Sequence, residues 1–325
     1  MRAFNENITV IDWLAAHLYL SRINGLIKII RLEKNWYDSF MFRIGIKKPI
    51  FTIYFRDGKS VVINEPNDYF SFWRSYAGQK ELLDNYYKNR EIKIKNDENI
   101  ITFNFLNREI KFFYEKDKQL GNTLSLIREI FIDDEYKLLN VNNNSVLDIG
   151  ANIGDSAIYF AVNGAKHVYA IEPYQYSCRI ALENIKMNGL GNVITLLNAG
   201  CGAKNEEIQI DENYENNFTS GINVSSSGTK ITILTLADIV NGLYIPKNSI
   251  LKMECEGYEY DILLNTDNSI LRHFSEMQIE YHHGYLDLKR KLEMAGFKVK
   301  KTCPRIIKNE TSKLVIGFLF AERIN

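Results

Sequence analysis

The first feature with a chemical interpretation is a turn between an apolar strand and a helix, in the segment VLDIGANIGDSAIYFA. Gly150, Asn152 and Gly154 stand there at alternate positions, after Asp148 and before Asp155. Glycine allows a ligand to lie against the main chain, and open α/β sheets bind their ligands at the carboxyl ends of their strands. The sequence therefore predicts a ligand site at this turn.

A second carboxylate indicates the kind of ligand. Glu172 follows Asp148 by 24 residues and ends the next apolar run, HVYAIEP. At the end of a second strand, a carboxylate can accept hydrogen bonds from both hydroxyls of a ribose. The pair predicts a cofactor that contains a nucleoside.

The turn also distinguishes between two classes of cofactor. A dinucleotide fingerprint has a glycine at the position of Asn152, so that a pyrophosphate can reach the helix N-terminus. Asp155 places a negative charge where that phosphate would bind. S-adenosylmethionine has a sulfonium and an ammonium group but no phosphate, so the turn favours this cofactor. For Asp155, capping of the helix is the alternative role.

Alternating strand-like and helix-like runs surround these motifs after residue 145. This order favours a mostly parallel sheet with helices on both faces. The run ITIL at 231–234 is interpreted as one strand of the series. The last two runs, 297–301 and 313–322, have no helix between them and predict a closing antiparallel hairpin.

The preceding part of the chain has a different pattern. Short β-rich runs from 49 to 114 predict a small antiparallel β region, and a helix is expected from about Asn122 to Leu139. The stretch Ile8 to Ile30 has roughly helical spacing. A helix packed on its own domain is the main interpretation, and a membrane-surface or dimer helix is the alternative.

Six motifs, in order over residues 146–265, resemble the FkbM-type methyltransferases: DIGANIGDSAIYFA, GAKHVYAIEP, LENIKMNG, NAGCGAKNEEIQI, TLAD and LKMECEGYEYDIL. The resemblance implies a Rossmann-like class I methyltransferase fold with a mostly parallel seven-stranded sheet. It also implies S-adenosylmethionine as cofactor and a hydroxyl oxygen, often of a sugar or secondary metabolite, as methyl acceptor. We therefore expect a methyltransferase domain at 141–325 and a smaller α+β region at 1–140 that acts as an acceptor-selecting cap.

The sequence departs from the family pattern at two places. The family commonly has an aspartate in KxDxEGxE, where this chain has Glu254, and an acid where Ala237 stands in TLAD. These departures make the substrate harder to predict, but the expected methyltransferase class is unchanged. By the same resemblance, Asn198 at the end of the third strand is a candidate to pair with the adenine, and a turn role is the alternative.

The segment KMECEGYE is expected at a strand end where methyl donor and acceptor meet in this fold. A hydroxyl that accepts a methyl group must lose its proton, and a positioned side chain can take it. Glu256 or Glu254 is one candidate for this base, and His282 or its neighbour His283 is another. In a third interpretation there is no protein base, because alignment of acceptor and sulfonium supplies much of the rate. The spacing of these acids matches no metal template, so no metal is expected.

Composition limits the alternatives. Lys+Arg and Asp+Glu each number 40, which argues against a protein that holds nucleic acid through an overall positive field. An RNA methyltransferase therefore remains a secondary hypothesis. A catalytically inactive cofactor-binding subunit is another, and the presence of Asp148 and Glu172 argues against it. The four cysteines form no CxxC pair and the first residues lack a secretory pattern, so a reducing, cytoplasmic location is expected.

Overall fold

The computed structural model describes residues 7–12, 29–56, 58–65, 68–69, 93–95, 98–115, 117–210, 228–308 and 313–324. The chain divides into two compact units, one formed by Leu18–Arg128 and the other by Met1–His17 together with Glu129–Asn325. The functional division into a cap at 1–140 and a cofactor-binding part at 141–325 stays a prediction. Most of the helix predicted over Ile8 to Ile30 lies outside the described residues.

In the unit Leu18–Arg128, the described elements are α1 (Trp36–Arg43), β1 (Phe51–Tyr54), β2 (Ser60–Ile63), β3 (Lys93–Lys95), β4 (Ile100–Phe105), β5 (Arg108–Phe113) and α2 (Asp117–Ile127). Strands β1 and β2 pair antiparallel, and β3, β4 and β5 form a second antiparallel sheet in that order. The predicted β region is thus confirmed. In β1 the buried residues Phe51 and Ile53 alternate with more exposed ones, as expected when one face of a strand packs on a core.

The helix predicted from Asn122 to Leu139 has different ends. It begins earlier, at Asp117, and passes into a π-helical segment, Arg128–Ile132. Asp134 has a φ of 57°, a left-handed conformation that cannot continue a right-handed helix. The prediction of a helical end at Leu139 is therefore wrong.

The strands of the other unit are β6 (Ser145–Ile149), β7 (His167–Glu172), β8 (Ile194–Asn198), β9 (Gly200–Gly202), β10 (Glu206–Ile210), β11 (Thr229–Thr235), β12 (Ser249–Met253), β13 (Phe274–Tyr281), β14 (Phe297–Lys301), β15 (Arg305–Lys308) and β16 (Lys313–Arg323). Its helices are α3 (Asp155–Val162), α4 (Gln175–Met187), α5 (Leu236–Gly242), α6 (Glu259–Asn265), α7 (Asn268–Leu271) and α8 (Leu286–Met294).

Seven strands form the main sheet, in the order β14-β16-β13-β12-β6-β7-β8. From β13 to β8 the neighbours are parallel, and β16 runs antiparallel to β13 and β14. Every residue of β6 and of β12 is buried, as expected for strands covered on both faces. The Rossmann-like fold and the closing antiparallel strands are confirmed, with β15 as an additional strand paired to β16.

The ITIL run belongs to a different sheet from the one expected. It lies in β11, which pairs parallel with β9 and antiparallel with β10 in a separate three-stranded sheet. Burial in β11 alternates between exposed and buried residues. A strand with one solvated face does not fit the centre of a sheet covered on both sides, so its assignment to the main sheet is wrong.

The segment 7–12 packs within the same unit as the main sheet. Ile8 is fully buried in its core, and Asp12 accepts hydrogen bonds from the Tyr285 hydroxyl (2.5 Å), from Lys301 Nζ (2.5 Å) and from the Thr9 hydroxyl (2.6 Å). Burial opposes the charge of Asp12, but these three donors together hold its pKa below the usual value. No helix among the described residues is long and apolar enough to cross a membrane.

We predict that Asp12→Ala lowers the free energy of unfolding by about 2–3 kcal/mol at pH 7, since it leaves partly buried donors without their charged acceptor. The native pKa is depressed, so this contribution is present above the pKa of the unfolded chain and is lost as the pH falls through the native pKa. Urea unfolding at pH 7 and at pH 3 measures both effects. The exposed Glu207→Ala serves as control and should change stability by less than about 0.5 kcal/mol. An equal loss at both pH values would contradict the prediction.

Candidate functional site

The predicted turn and the acidic segment are in direct backbone contact. Because β6 and β12 are parallel neighbours, their carboxyl ends lie at one edge of the sheet. The Glu254 amide donates to the carbonyl of Ile149 (3.1 Å). A Cβ on Gly150, which has a φ of 79°, would lie 1.8 Å from the Glu254 carbonyl oxygen. Gly150 is thus required by the close approach of the two strand ends.

Helix α4 holds the other side of the turn. Asn152 and Gly154 have φ values of 47° and 81°. The Asn184 side-chain amide donates to the carbonyl of Ile153 (2.8 Å), and Gly154 packs on Ala181. The LENIKMNG motif therefore has a structural role, because its first asparagine is buried and fixes the turn.

Asp148 lies beneath the turn, where it is fully buried. It accepts a hydrogen bond from the Ser156 hydroxyl (2.6 Å), and its other oxygen forms an ion pair with Lys252 Nζ at 3.1 Å. Lys252 also donates to the carbonyl of Gly150 (2.7 Å) and lies 3.7 Å from the Glu254 carboxylate. The direct role of Asp148 is thus to pair with a buried cation, and a cofactor contact stays a prediction.

Lys252 is the site residue that the sequence reasoning missed. Burial disfavours its charge, but the carboxylates of Asp148 and Glu254 outweigh burial and raise its pKa above the usual value, so it is an ammonium ion at all ordinary pH values. The signal was present in the sequence, because a lysine inside the apolar run SILKMEC must have a charged partner if that strand is buried.

The remaining predicted cofactor residues lie around the turn. Glu172 accepts hydrogen bonds from the backbone amides of Asn152 (2.9 Å) and Tyr174 (3.0 Å), and burial raises its pKa to about 7. Burial likewise raises the pKa of Asp155 to about 7.

Asn198 donates hydrogen bonds from its side-chain amide to the carbonyls of Glu172 (3.0 Å) and Pro173 (2.9 Å), so it holds a turn. Its contact with adenine stays a prediction.

Glu254 belongs to a group that joins the ends of β12 and β13. The Tyr136 hydroxyl donates to it at 3.1 Å. Burial opposes ionisation of Glu254, but nearby Lys252 holds its pKa below the usual value. Burial and the charge of Glu254 raise the pKa of Glu280 to about 10. At neutral pH the charge therefore resides on Glu254 and the proton on Glu280.

His282 lies among three carboxyl groups. Its Nδ1 is 2.8 Å from Glu259, and its Nε2 is 3.3 Å from Glu256 and 3.7 Å from Glu280. Burial disfavours the imidazolium, but hydrogen bonds with Glu256 and Glu259 raise the pKa to about 11. The ring is therefore an imidazolium ion at neutral pH.

The sequence of this region matches a known family. Residues 148–299 match the family described as methyltransferase FkbM domain. This matched segment, residues 148–299, is called the FkbM domain. The resemblance stated from the motifs is confirmed, and so is the enzyme class expected for this domain.

Curated relatives match only part of the chain. Protein arginine N-methyltransferase 1 of Oryza sativa subsp. indica is 31% identical over 105 residues, which cover 30% of this chain and 26% of that protein. Protein arginine N-methyltransferase 1.1 of Arabidopsis thaliana is 40% identical over 70 residues, which cover 22% and 17%. The chain thus spans about a quarter or less of the length of these relatives.

Two solved structures are among those that resemble this fold. TYW2 of M. jannaschii in complex with AdoMet has 19% identity and a TM-score of 0.38, and the match covers 71% of this chain and 89% of that one. TrmK of M. capricolum in complex with S-adenosyl-homocysteine has 16% identity and a TM-score of 0.36, with 57% and 65% covered.

An open cleft of about 580 Å³ lies beside the acidic segment of the FkbM domain. It is lined by residues of the loop that precedes α6, of α6 itself and of the segment that follows β13: Glu256, Gly257, Tyr258, Tyr260, Asp261, Leu264, Asn265 and His283. Of the predicted base candidates, Glu256 and His283 line it. Among the described residues, no group of three or more histidines, cysteines or acids has the arrangement of a metal site.

We predict that Lys252→Met destabilises the FkbM domain by about 3–5 kcal/mol, because it leaves the buried Asp148 carboxylate without its counter-ion. Urea unfolding followed by circular dichroism measures the loss. Lys289→Met removes a lysine from a surface pair on α8 and should cost less than about 1 kcal/mol. Equal stabilities of the two variants would show that Lys252 contributes no more than a surface lysine.

Proposed function

We propose that the protein is an S-adenosylmethionine-dependent O-methyltransferase that acts on a hydroxyl of a glycan or a small-molecule metabolite. The observation that carries the proposal is the backbone contact between Gly150 and Glu254. It brings the turn that would hold the donor next to the segment that ends in Glu256. From that segment Glu256 reaches the cleft.

The side chains near the turn suit this donor. Asp155 and Glu172 are buried carboxylates with raised pKa values, and Asp155 Oδ1 has no hydrogen-bond partner within the described structure. A ligand with hydroxyls and positive groups would satisfy such acceptors, whereas a phosphate would be repelled. When bound, the cofactor supplies an electrophilic methyl group. The protein's task is to hold the donor with Glu172.

On the acceptor side, Glu256 is the base that the geometry favours. Its side chain belongs to the cleft lining, which contains neither Glu254 nor His282. Moreover, His282 already carries its proton, and Glu254 is paired with both Lys252 and Tyr136. A donor held at the turn would supply the methyl group to the acceptor oxygen, and its sulfur would keep the electron pair of the carbon–sulfur bond. The hydroxyl proton passes to the Glu256 carboxylate.

The lining of the cleft favours an uncharged acceptor rich in hydroxyls. Two tyrosine rings offer flat apolar faces, and Asp261 and Asn265 offer hydrogen-bonding oxygens. Nucleic-acid backbones are bound mainly by lysine and arginine, and neither occurs among the described lining residues. This supports a glycan or metabolite over RNA. We also propose a cytoplasmic location and an acceptor-selecting role for residues 1–140.

A second candidate is methyl transfer to a guanidinium or amine nitrogen. It is favoured by the carboxylates Glu256 and Asp261 in the cleft lining and by the partial match to arginine N-methyltransferases. Carboxylates bind a guanidinium through charge-assisted hydrogen bonds.

Transfer of label from methyl-labelled S-adenosylmethionine in a cell extract tests both candidates. The labelled product is hydrolysed and identified by mass spectrometry. An O-methyl sugar or metabolite supports the proposal, methylarginine supports the second candidate, and methylated nucleoside identifies RNA as acceptor. Cofactor binding without label transfer would indicate an inactive cofactor-binding subunit.

We predict that Glu172→Ala lowers the affinity for S-adenosylmethionine at least tenfold, through loss of charge-assisted hydrogen bonds to the ribose. Isothermal titration calorimetry without added metal measures the dissociation constant. Glu183→Ala on α4 removes a carboxylate from an exposed position and should leave the constant unchanged. An unaltered constant in folded Glu172→Ala would mean that the carboxylate serves only the backbone amides that it contacts here.

We predict that Glu256→Gln lowers the turnover number by about 10²–10⁴-fold, because the amide keeps the size of the side chain but cannot accept the acceptor's proton. The dissociation constant for the donor should change less than twofold. Single-turnover methyl transfer to the acceptor found by labelling measures the rate. Turnover within about threefold of the parent would favour alignment of acceptor and donor as the source of the rate.

A further inference from the structure

The loop between β12 and α6 has a conformation that needs support. Glu256 has a φ of 51°, in the left-handed region that residues other than glycine rarely adopt, and Gly257 follows at 109°. Such conformations persist where surrounding contacts fix them, and they are frequent at functional sites. The contacts that fix this one therefore decide where the Glu256 carboxylate points.

The fixing contacts converge on one atom. Glu259 is fully buried, and its Oε1 accepts hydrogen bonds from the amides of Cys255 (3.1 Å) and Gly257 (3.2 Å). These amides flank Glu256 on both sides. The same oxygen lies 2.8 Å from Nδ1 of His282. Glu259 thus connects the backbone of the loop to the histidine ring.

His282 in turn contacts the side chain of Glu256. With Nδ1 donating to Glu259, the opposite nitrogen points to Glu256 Oε2 at 3.3 Å. The charged and titratable groups around the ring come from four elements. Glu256 and Glu259 belong to the loop and to α6, Glu280 to β13, and Glu254 lies at the end of β12, where Lys252 balances its charge.

We propose that Glu259 and His282 are positioning residues, which hold the Glu256 carboxylate toward the cleft through the loop backbone and through the imidazolium ring. This inference rests on the proposed function, because it assigns a purpose to the orientation of the proposed base. The ring remains protonated throughout and transfers no proton. Glu259 contacts neither donor nor acceptor and acts only through the loop and the ring.

The pH titration of His282 tests this assignment without an acceptor. The full chain is labelled with ¹³C in its histidine rings, and the His282 signal is identified by its absence in His282→Asn. In the parent we expect this signal to remain that of an imidazolium ion from pH 5.5 to 8.5. In Glu259→Gln it should titrate within that range, while Glu276→Gln, a change on the same strand as Glu280, should have no effect. A parent signal that titrates near pH 6.5 would overturn the proposal.

Glu259→Gln removes a buried carboxylate and could prevent folding, so a second variant is used to test the same contact. Glu256→Gln alters a partly exposed side chain and should also lower the pH at which His282 loses its proton. An unchanged His282 signal in folded Glu256→Gln would show that the two side chains are not in contact and would overturn the proposal.

A kinetic experiment provides a second test of the positioning role. It measures methyl transfer to the acceptor that the labelling experiment identifies. Folded Glu259→Gln should reduce turnover at least tenfold and alter its pH profile, while the dissociation constant for S-adenosylmethionine changes less than twofold. Turnover and a profile like those of the parent would overturn the positioning role. If the parent transfers no label at all, the proposed function fails, whereas the His282 titration still shows whether the ring is held as described.

Discussion

The structure of the FkbM domain depends on one buried cation. Lys252 enters the fully covered strand β12 and meets Asp148 at the end of β6, so the central strands are joined by charge as well as by their hydrogen bonds. A buried ion pair of this kind adds little net stability, because desolvation offsets attraction. Its value lies in specificity, since only one alignment of the two strands brings the ammonium to Asp148, to the Gly150 carbonyl and to Glu254 together.

This alignment links the two halves of the proposed reaction. The turn after β6 and the acidic segment after β12 share a backbone contact so close that Gly150 has no room for a side chain. The positions of the two strand ends therefore depend on each other. Lys252 supports the ionised state of Glu254, and Glu259 and His282 fix the neighbouring loop. The acids that looked similar in the sequence thus have different charges and different tasks.

Much of the fold followed from the sequence, because strands buried on both faces have a clear apolar pattern and because the order of motifs was specific. The β11 strand was placed in the wrong sheet, since an apolar run does not reveal its partner. The helix after Asp117 was given the wrong ends, because the left-handed Asp134 is not visible in an apolar periodicity. In the site, the sequence indicated that the turn after Asp148 and the acidic segment lie at strand ends, but it did not indicate that Lys252 joins them. The protonation of His282 depends on its distances to the surrounding carboxyl groups, which only the three-dimensional structure supplies.

The packing of the segment 7–12 has a consequence for how the chain becomes folded. The hydrogen bond between Tyr285 and Asp12 joins residues that are 273 positions apart, and the unit Leu18–Arg128 lies between them in the chain. During synthesis the segment 7–12 therefore lacks these partners until Tyr285 and Lys301 have been made. The entropic cost of closing such a loop grows only slowly with its length. The long separation therefore delays the contact but lowers the stability of the folded protein only slightly. Throughout that interval the apolar side chain of Ile8 lacks its native cover.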